Sequence, residues 1–327
     1  MREVEAGDVK VSVIGVGTWQ FGSKEWGYGD EYAATTAVKI VQRALELGVT
    51  LIDTAEIYAM GESERIVGRA LRDADPELAA TAFVATKIFP IAAFDKVVQW
   101  RGRLSRDRLG VEAIDLYQVH WPNPAVPKSQ TMAGMRALRD AGVIRHVGVS
   151  NYSAKDWRLA DRNLGSPVLS NQVRYSLVDR GPEASVLPYA QEHGRIVIAY
   201  SPLGQGLLSA RFDASHLPTG NVRRMNPLFL PDNLERAQPL LTALREIAAA
   251  HGATPAQVSL AWLIRRDRVV AIPGASSVEQ LESNVAAADL DLTVDEDHRL
   301  TEASDAFEPL TGAAAVPSLL AQRLGAG

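Results

Sequence analysis

Eight short runs rich in aliphatic and β-branched residues recur along this chain with amphipathic segments between them, and that alternation constrains the fold most. We read strands at residues 11–17, 50–54, 83–86, 114–119, 146–150, 168–172, 195–200 and 269–274. The intervening stretches 35–48, 62–73 and 129–142 carry apolar residues at helical spacing; Ser129 is placed to cap the last and Gly142 to end it. Strand and helix alternating in this way predict a parallel sheet, because parallel neighbours need a crossover that a helix supplies. Eight such units fit a closed α/β TIM barrel, (β/α)8, better than an open sheet. With no interdomain linker or short-period repeat, one domain over residues 1–327 is expected.

Two regions break the rhythm. Residues 201–233 follow the seventh strand, are rich in Gly, Pro and Asn, and read as a long loop of the kind that serves as a lid or an insert. Residues 291–307 read as a C-terminal helix, and from about residue 311 the chain trails off as a tail.

Composition narrows the chemistry. Cysteine is absent, which excludes disulfides, thiolate zinc sites and a cysteine nucleophile. His146, His193, His216, His251 and His298 form no metal-ligand spacing and are read as surface residues, so no metal is expected. The net charge of −5 with no basic run argues against a nucleic-acid partner. No stretch has the roughly 20 apolar residues of a membrane helix, and the charged first ten residues lack a signal-peptide core. A cytoplasmic location is expected.

Four chemically distinct residues stand at strand ends. Asp53 ends the second strand, Tyr58 lies just beyond it, Lys87 ends the third and His120 the fourth. In a parallel barrel those positions face one mouth. Together they can deliver a proton to a carbonyl oxygen. An adjacent ammonium lowers a phenol's pKa, a carboxylate keeps the ammonium charged and in place, and a neutral imidazole can hydrogen-bond the substrate oxygen.

At this point the chain resembles the aldo-keto reductases over nearly its whole length. DTAEIYAMGESE (53–64) is similar to that family's D-x-A-x-x-Y-G-x-S-E pattern, apart from Ala59 and Met60 between Tyr58 and Gly61. Lys87 in ATK and His120 in DLYQVHWP stand where the family keeps its other catalytic groups, and VGVSNY (147–152) and AYSPLGQGLL (199–208) look like its cofactor stretches. The resemblance implies that Tyr58 is the general acid, Lys87 lowers its pKa, Asp53 anchors Lys87 and His120 orients the carbonyl. Relatives that reduce steroid double bonds carry glutamate in place of His120, so carbonyl reduction of a small molecule is the implied reaction.

No G-x-G-x-x-G follows a strand, and Gly15, Gly17 and Gly22 have the wrong spacing for a Rossmann site. The resemblance instead implies NADP(H) lying extended across the barrel mouth. Ser150, Asn151 and Gln172 suit the nicotinamide carboxamide, and the Tyr200 ring could stack on the nicotinamide. Ser201, Pro202, Leu203, Gly204 and Gly206 would bring backbone N–H groups to the pyrophosphate. Gly274 falls at a turn, and Ser276, Gln280 and Asn284 fall where the family grips the adenosine 2′-phosphate. The arginine or lysine many relatives place there is missing, and Ser283 replaces a common acidic residue. Ser276 or Ser277 also suits a helix N-cap.

On the substrate side Trp19 and Trp121 should wall the mouth, with Trp26 and Tyr28 contributing, while Trp100, Trp157 and Trp262 lie in helical patterns and are read as packing. Two other functions remain open. One is an NADPH-binding regulatory subunit like the potassium-channel β subunits that resemble this family, although no inactivating segment precedes the barrel. The other is a lyase or isomerase using Lys87 as a Schiff-base nucleophile, which leaves the cofactor-like stretches unexplained.

Overall fold

Side-chain parity along the strands separates two cores. The computed structural model describes residues 1–22, 31–213, 215–218 and 221–315. Eight parallel strands form one curved sheet in sequential order: β3 (Val16–Gly17), β4 (Leu51–Asp53), β5 (Phe83–Ile88), β6 (Ile114–Val119), β7 (Ile144–Ser150), β8 (Ser170–Arg174), β9 (Ile196–Tyr200) and β10 (Val269–Ala271). Successive side chains on a strand point to opposite faces. Leu51, Ala85, Leu116, Ile196, Ile198, Val270 and Ile272 therefore gather inside, while Ile52, Val84, Tyr117, Val149, Val197 and Ala271 pack outward against the helices.

The sheet closes on itself. Gly15 N donates to Ala271 O at 2.8 Å, Ala271 N to Val13 O at 2.9 Å and Gly17 N to Pro273 O at 3.2 Å. Close approach of neighbouring strands explains two of the glycines. A Cβ on Gly15 would lie 2.8 Å from Leu51 O, and one on Gly17 would lie 2.7 Å from Ile272 O. The barrel is thus the (β/α)8 fold expected, with one correction at its start. Residues 11–17 are not a single strand. β1 (Glu3–Ala6) and β2 (Val9–Ser12) form an antiparallel hairpin about Gly7, which takes φ +63°; Val13–Gly15 reach the barrel through a bridge to Ala271, and Val16–Gly17 form its first strand. Ala6, Val9 and Val11 join the inner apolar cluster, so the hairpin plugs the end where the strands begin. The Gly7-Asp8 pair between two alternating runs was its sequence signal.

Helices cover the outside, several of them through one apolar stripe, whereas Pro255–Ile264 is buried on all sides. Helix Ala37–Glu46 buries Ile40, Val41, Ala44 and Leu45. Helix Lys128–Asp140 starts one residue before Ser129, with Pro127 at the cap position and no side-chain cap, so Ser129 is not the N-cap; Gly142, at φ +68°, follows its end. Trp157 and Trp262 are fully buried as expected, whereas Trp100 is 62% exposed. Its helix, Asp95–Leu109, buries Val98, Gly102, Ser105 and Leu109, and position 100 falls on the opposite face.

The long segment after β9 is folded onto the barrel through short helices at Gly204–Ser209, Pro227–Phe229 and Pro231–Arg236. Asn233 Nδ2 ties it down by donating to Pro227 O (2.7 Å) and Leu310 O (3.0 Å), over buried Phe229, Leu230 and Leu234. The expected C-terminal helix is Val294–Asp305, with a Thr293–Glu296 capping box. Trp26, Tyr28 and the tail beyond residue 315 lie outside the described residues. Among the described residues no helix is long and apolar enough to cross a membrane, and no cluster of His, Asp and Glu could hold a metal ion.

Candidate active site

The parity that points Leu51 and Ala85 inward also points Asp53 and Lys87 inward, one layer nearer the strand ends. In the same way Gln118 and His120 follow Leu116, and Tyr200 follows Ile198. Where the inner apolar layers stop, an inward polar layer begins. Lys87 Nζ donates to Asp53 Oδ1 at 2.6 Å and to Thr54 O at 2.7 Å, and lies 3.4 Å from Tyr58 OH. Asp53 Oδ2 accepts from Gln172 Nε2 at 2.7 Å and Gln118 Nε2 at 3.3 Å. Both charges are sealed, with side-chain exposure of 0% for Lys87 and 2% for Asp53. A charge pair so placed holds together only because its other lone pairs and protons are also met.

Tyr58 sits half-buried at the start of the 3-10 turn Tyr58–Gly61, above the pair. Its ring lies 5.0 Å from the Lys87 ammonium and meets His120 edge-on at 5.7 Å. His120 stacks on Trp121 with centroids 4.0 Å apart and planes 7° apart. Burial, assisted by the positive charge of Lys87, lowers the His120 pKa to about 2, so the imidazole is neutral. Its Nδ1 is buried without a hydrogen-bond partner.

Lys87 does pull the Tyr58 pKa down, but burial outweighs it, Asp53 adds to the rise, and the net direction is up. The phenol therefore keeps its proton at neutral pH. For Lys87, burial acts downward, while Asp53 and the phenol raise its pKa further, so it stays charged.

The opposite side of the mouth, over β7–β10, is polar. Asn151 takes φ +59°; its Nδ2 donates to His120 O (3.2 Å) and Ser150 Oγ (3.1 Å), and Tyr200 OH donates to its Oδ1 at 3.0 Å. Ser201, Gly204, Gln205 and Gly206 all have positive φ, turning the loop after β9 sharply beside Pro202 and Leu203. After β10, Ser277 rather than Ser276 caps helix Val278–Ala286, accepting from Gln280 N. Ser276 N and Oγ both donate to Gln280 Oε1, at 2.9 and 2.7 Å, and Asn284 Nδ2 donates to Gly274 O at 3.3 Å. Trp19 and Trp121 lie on the loops after β3 and β6, 41% and 40% exposed.

Gln118 escaped the sequence reading although its position two before His120 signalled the same face. Gln172, expected to meet a cofactor amide, also holds Asp53. The Thr54 carbonyl carried no signal at all.

Asp53, Lys87, Tyr58 and His120 meet at the mouth of a parallel barrel, and the sequence model of the aldo/keto reductase family matches residues 13–305. The chain belongs to the aldo/keto reductase family. It is 55% identical over 302 residues to an uncharacterized oxidoreductase of Mycobacterium tuberculosis, covering 92% of each chain. It is 34% identical to methylglyoxal reductase YeaE of Escherichia coli, over 88% of this chain and 89% of that one. Among solved structures, the aldo/keto reductase of Klebsiella pneumoniae in complex with NADP and acetate superposes with a TM-score of 0.72 at 31% identity, covering 92% of this chain and 94% of that one.

Proposed function

We propose that this protein is an NADPH-dependent reductase of aldehydes or ketones, with Tyr58 as the general acid. The observation that carries the reading is the phenol of Tyr58 at 3.4 Å from a buried, carboxylate-held ammonium. Bound NADPH would supply the hydride. The chain's own groups deal with the oxygen. Neutral His120 can donate an N–H bond to the carbonyl oxygen and hold it near the phenol without competing as an acid. Tyr58 gives its proton to that oxygen as negative charge develops there. Lys87 stabilises the phenolate left behind, and Asp53, held by Gln118 and Gln172, keeps Lys87 in place.

The polar half of the mouth supports the cofactor. Ser150, Asn151 and Gln172 offer an amide-sized set of donors and acceptors, Tyr200 offers a ring, and the turn through Ser201, Pro202, Leu203, Gly204 and Gly206 offers closely approachable backbone. Ser276 and Gln280, at the start of helix Val278–Ala286, and Asn284, one turn beyond Gln280, would meet the 2′-phosphate. The NADP complex of the Klebsiella relative favours the same assignment, and the methylglyoxal reductase relative favours a small carbonyl substrate.

Steady-state NADPH consumption with a panel of aldehydes and ketones, methylglyoxal included, tests the proposal. Tyr58→Phe should lose about 10²–10⁴-fold in turnover while still binding NADPH, because the ring remains and only the proton donor goes. A wild-type protein that consumes no NADPH with any carbonyl, or a variant keeping most of the activity, overturns it.

A further inference from the structure

The loop that carries Tyr58 is fastened to the loop after Lys87 by an ion pair that the scheme above does not use. Glu56 lies two residues before Tyr58, and Arg101 lies on helix Asp95–Leu109. Arg101 Nε donates to Glu56 Oε2 at 3.0 Å and Nη2 donates to Oε1, a bidentate fork. The same Oε1 accepts from Phe89 N at 2.5 Å, and Arg101 Nη1 donates to Ile91 O at 3.0 Å. Glu56 N donates to Lys87 O at 3.3 Å. The pair is largely buried, with side-chain exposures of 17% for Arg101 and 10% for Glu56.

Its bonds land on the backbone of both active-site loops. On one side, Glu56 leads directly to Tyr58. On the other, Phe89 meets His120 edge-on at 6.5 Å and Trp121 at 5.5 Å. A bidentate guanidinium–carboxylate fork fixes direction as well as distance, which a single contact cannot.

We infer that Glu56 and Arg101 are positioning residues for carbonyl reduction, setting the separation between the Tyr58 hydroxyl and the His120–Trp121 wall. The inference rests on the function proposed above. Neither residue touches substrate. They act through the backbone at 56–58 and 89–91, and a displacement of about 1 Å at the reacting groups can cost roughly 100-fold in rate.

The test uses Glu56→Gln and Arg101→Met, singly and together, with a carbonyl the wild type reduces. kcat should fall roughly tenfold or more in each single variant while the NADPH dissociation constant stays within about twofold. The double variant should be no slower than the slower single one, as expected of two residues acting through one contact. Arg101→Lys, which keeps the charge but not the fork, should recover only part of the rate. A lower melting temperature with kcat and KM unchanged would make the pair merely structural and overturn the inference. Should Glu56→Gln not fold, Glu56→Asp shortens the reach and keeps the charge, and an unchanged kcat there overturns it equally. Amide exchange separates this failure from failure of the proposed reaction. Whatever the activity, segments 56–61 and 89–93 should exchange faster together in Glu56→Gln, with 199–208 unaffected, and unaltered exchange refutes the clamp.

Discussion

Lys87 Nζ lies 2.6 Å from Asp53 Oδ1, and neither side chain reaches solvent. Removing one partner of such a pair leaves the other as an uncompensated buried charge. Lys87→Met should therefore destabilise the fold by about 3–5 kcal/mol. It should also slow carbonyl reduction at least as much as Tyr58→Phe. Because the folded-state pKa of Lys87 is raised, its stabilisation is full below the unfolded value and is lost only as pH climbs through the alkaline range. Urea unfolding measures the first effect, and a Lys87→Met protein within about 1 kcal/mol of wild type would contradict it.

His120 gives a pH prediction of the opposite sign. Its pKa is about 2 when folded, against about 6.5 in an unfolded chain. The unfolded state thus binds the extra proton, and stability is lost as pH falls below about 6.5. His120→Gln should remove that component. Its stability should fall less steeply between about pH 6 and pH 4, by up to about 1.4 kcal/mol per pH unit. Parallel stability–pH curves for the two proteins would show that the imidazole is not held neutral.

The turn after Tyr58 stores backbone strain. Ala59 (φ 46°) and Met60 (φ 55°) both occupy the left-handed region ahead of Gly61 (φ 86°), and a non-glycine residue there costs about 1–2 kcal/mol. Ala59→Gly should be neutral or stabilising by up to about 1 kcal/mol, the relief being partly offset by glycine's chain entropy. Gly61→Ala should destabilise, since its Cβ would also lie 2.8 Å from Arg108 Cδ, and Arg108 is held by Glu64. Thermal melting compares the two, and a more stable Gly61→Ala would refute the strain.

Cofactor preference should be real but moderate. Ser276, Gln280 and Asn284 bring neutral donors to a 2′-phosphate, each worth roughly 1.5–3 kcal/mol at best, and Ser276 already spends its N–H and hydroxyl on Gln280 Oε1. NADPH should bind more tightly than NADH. Gln280→Arg should widen the gap through a bidentate contact, and Ser276→Ala with Gln280→Ala should narrow it. Dissociation constants from quenching of tryptophan fluorescence decide this, and equal values for the two cofactors in the unmodified protein refute the site.

Much of this architecture follows from local pattern. Alternation of β-branched runs with amphipathic stretches predicts the parallel barrel, and strand parity already sets Asp53, Lys87, Gln118 and His120 on one face, because period-2 geometry is a property of the backbone. The hairpin at Gly7, the start of helix Lys128–Asp140 and the exposure of Trp100 are local features too, but they differ from the pattern's expectation because boundaries turn on one or two residues and on which stripe meets the core. Tertiary structure alone decided the rest. Asp53 meets Gln172 across 119 positions, and Glu56 meets Arg101 across 45. No sequence spacing encodes a contact made only when the barrel closes. The pKa shifts of Tyr58 and His120 belong to the same class, because they come from burial and from the charge of Lys87 on another strand.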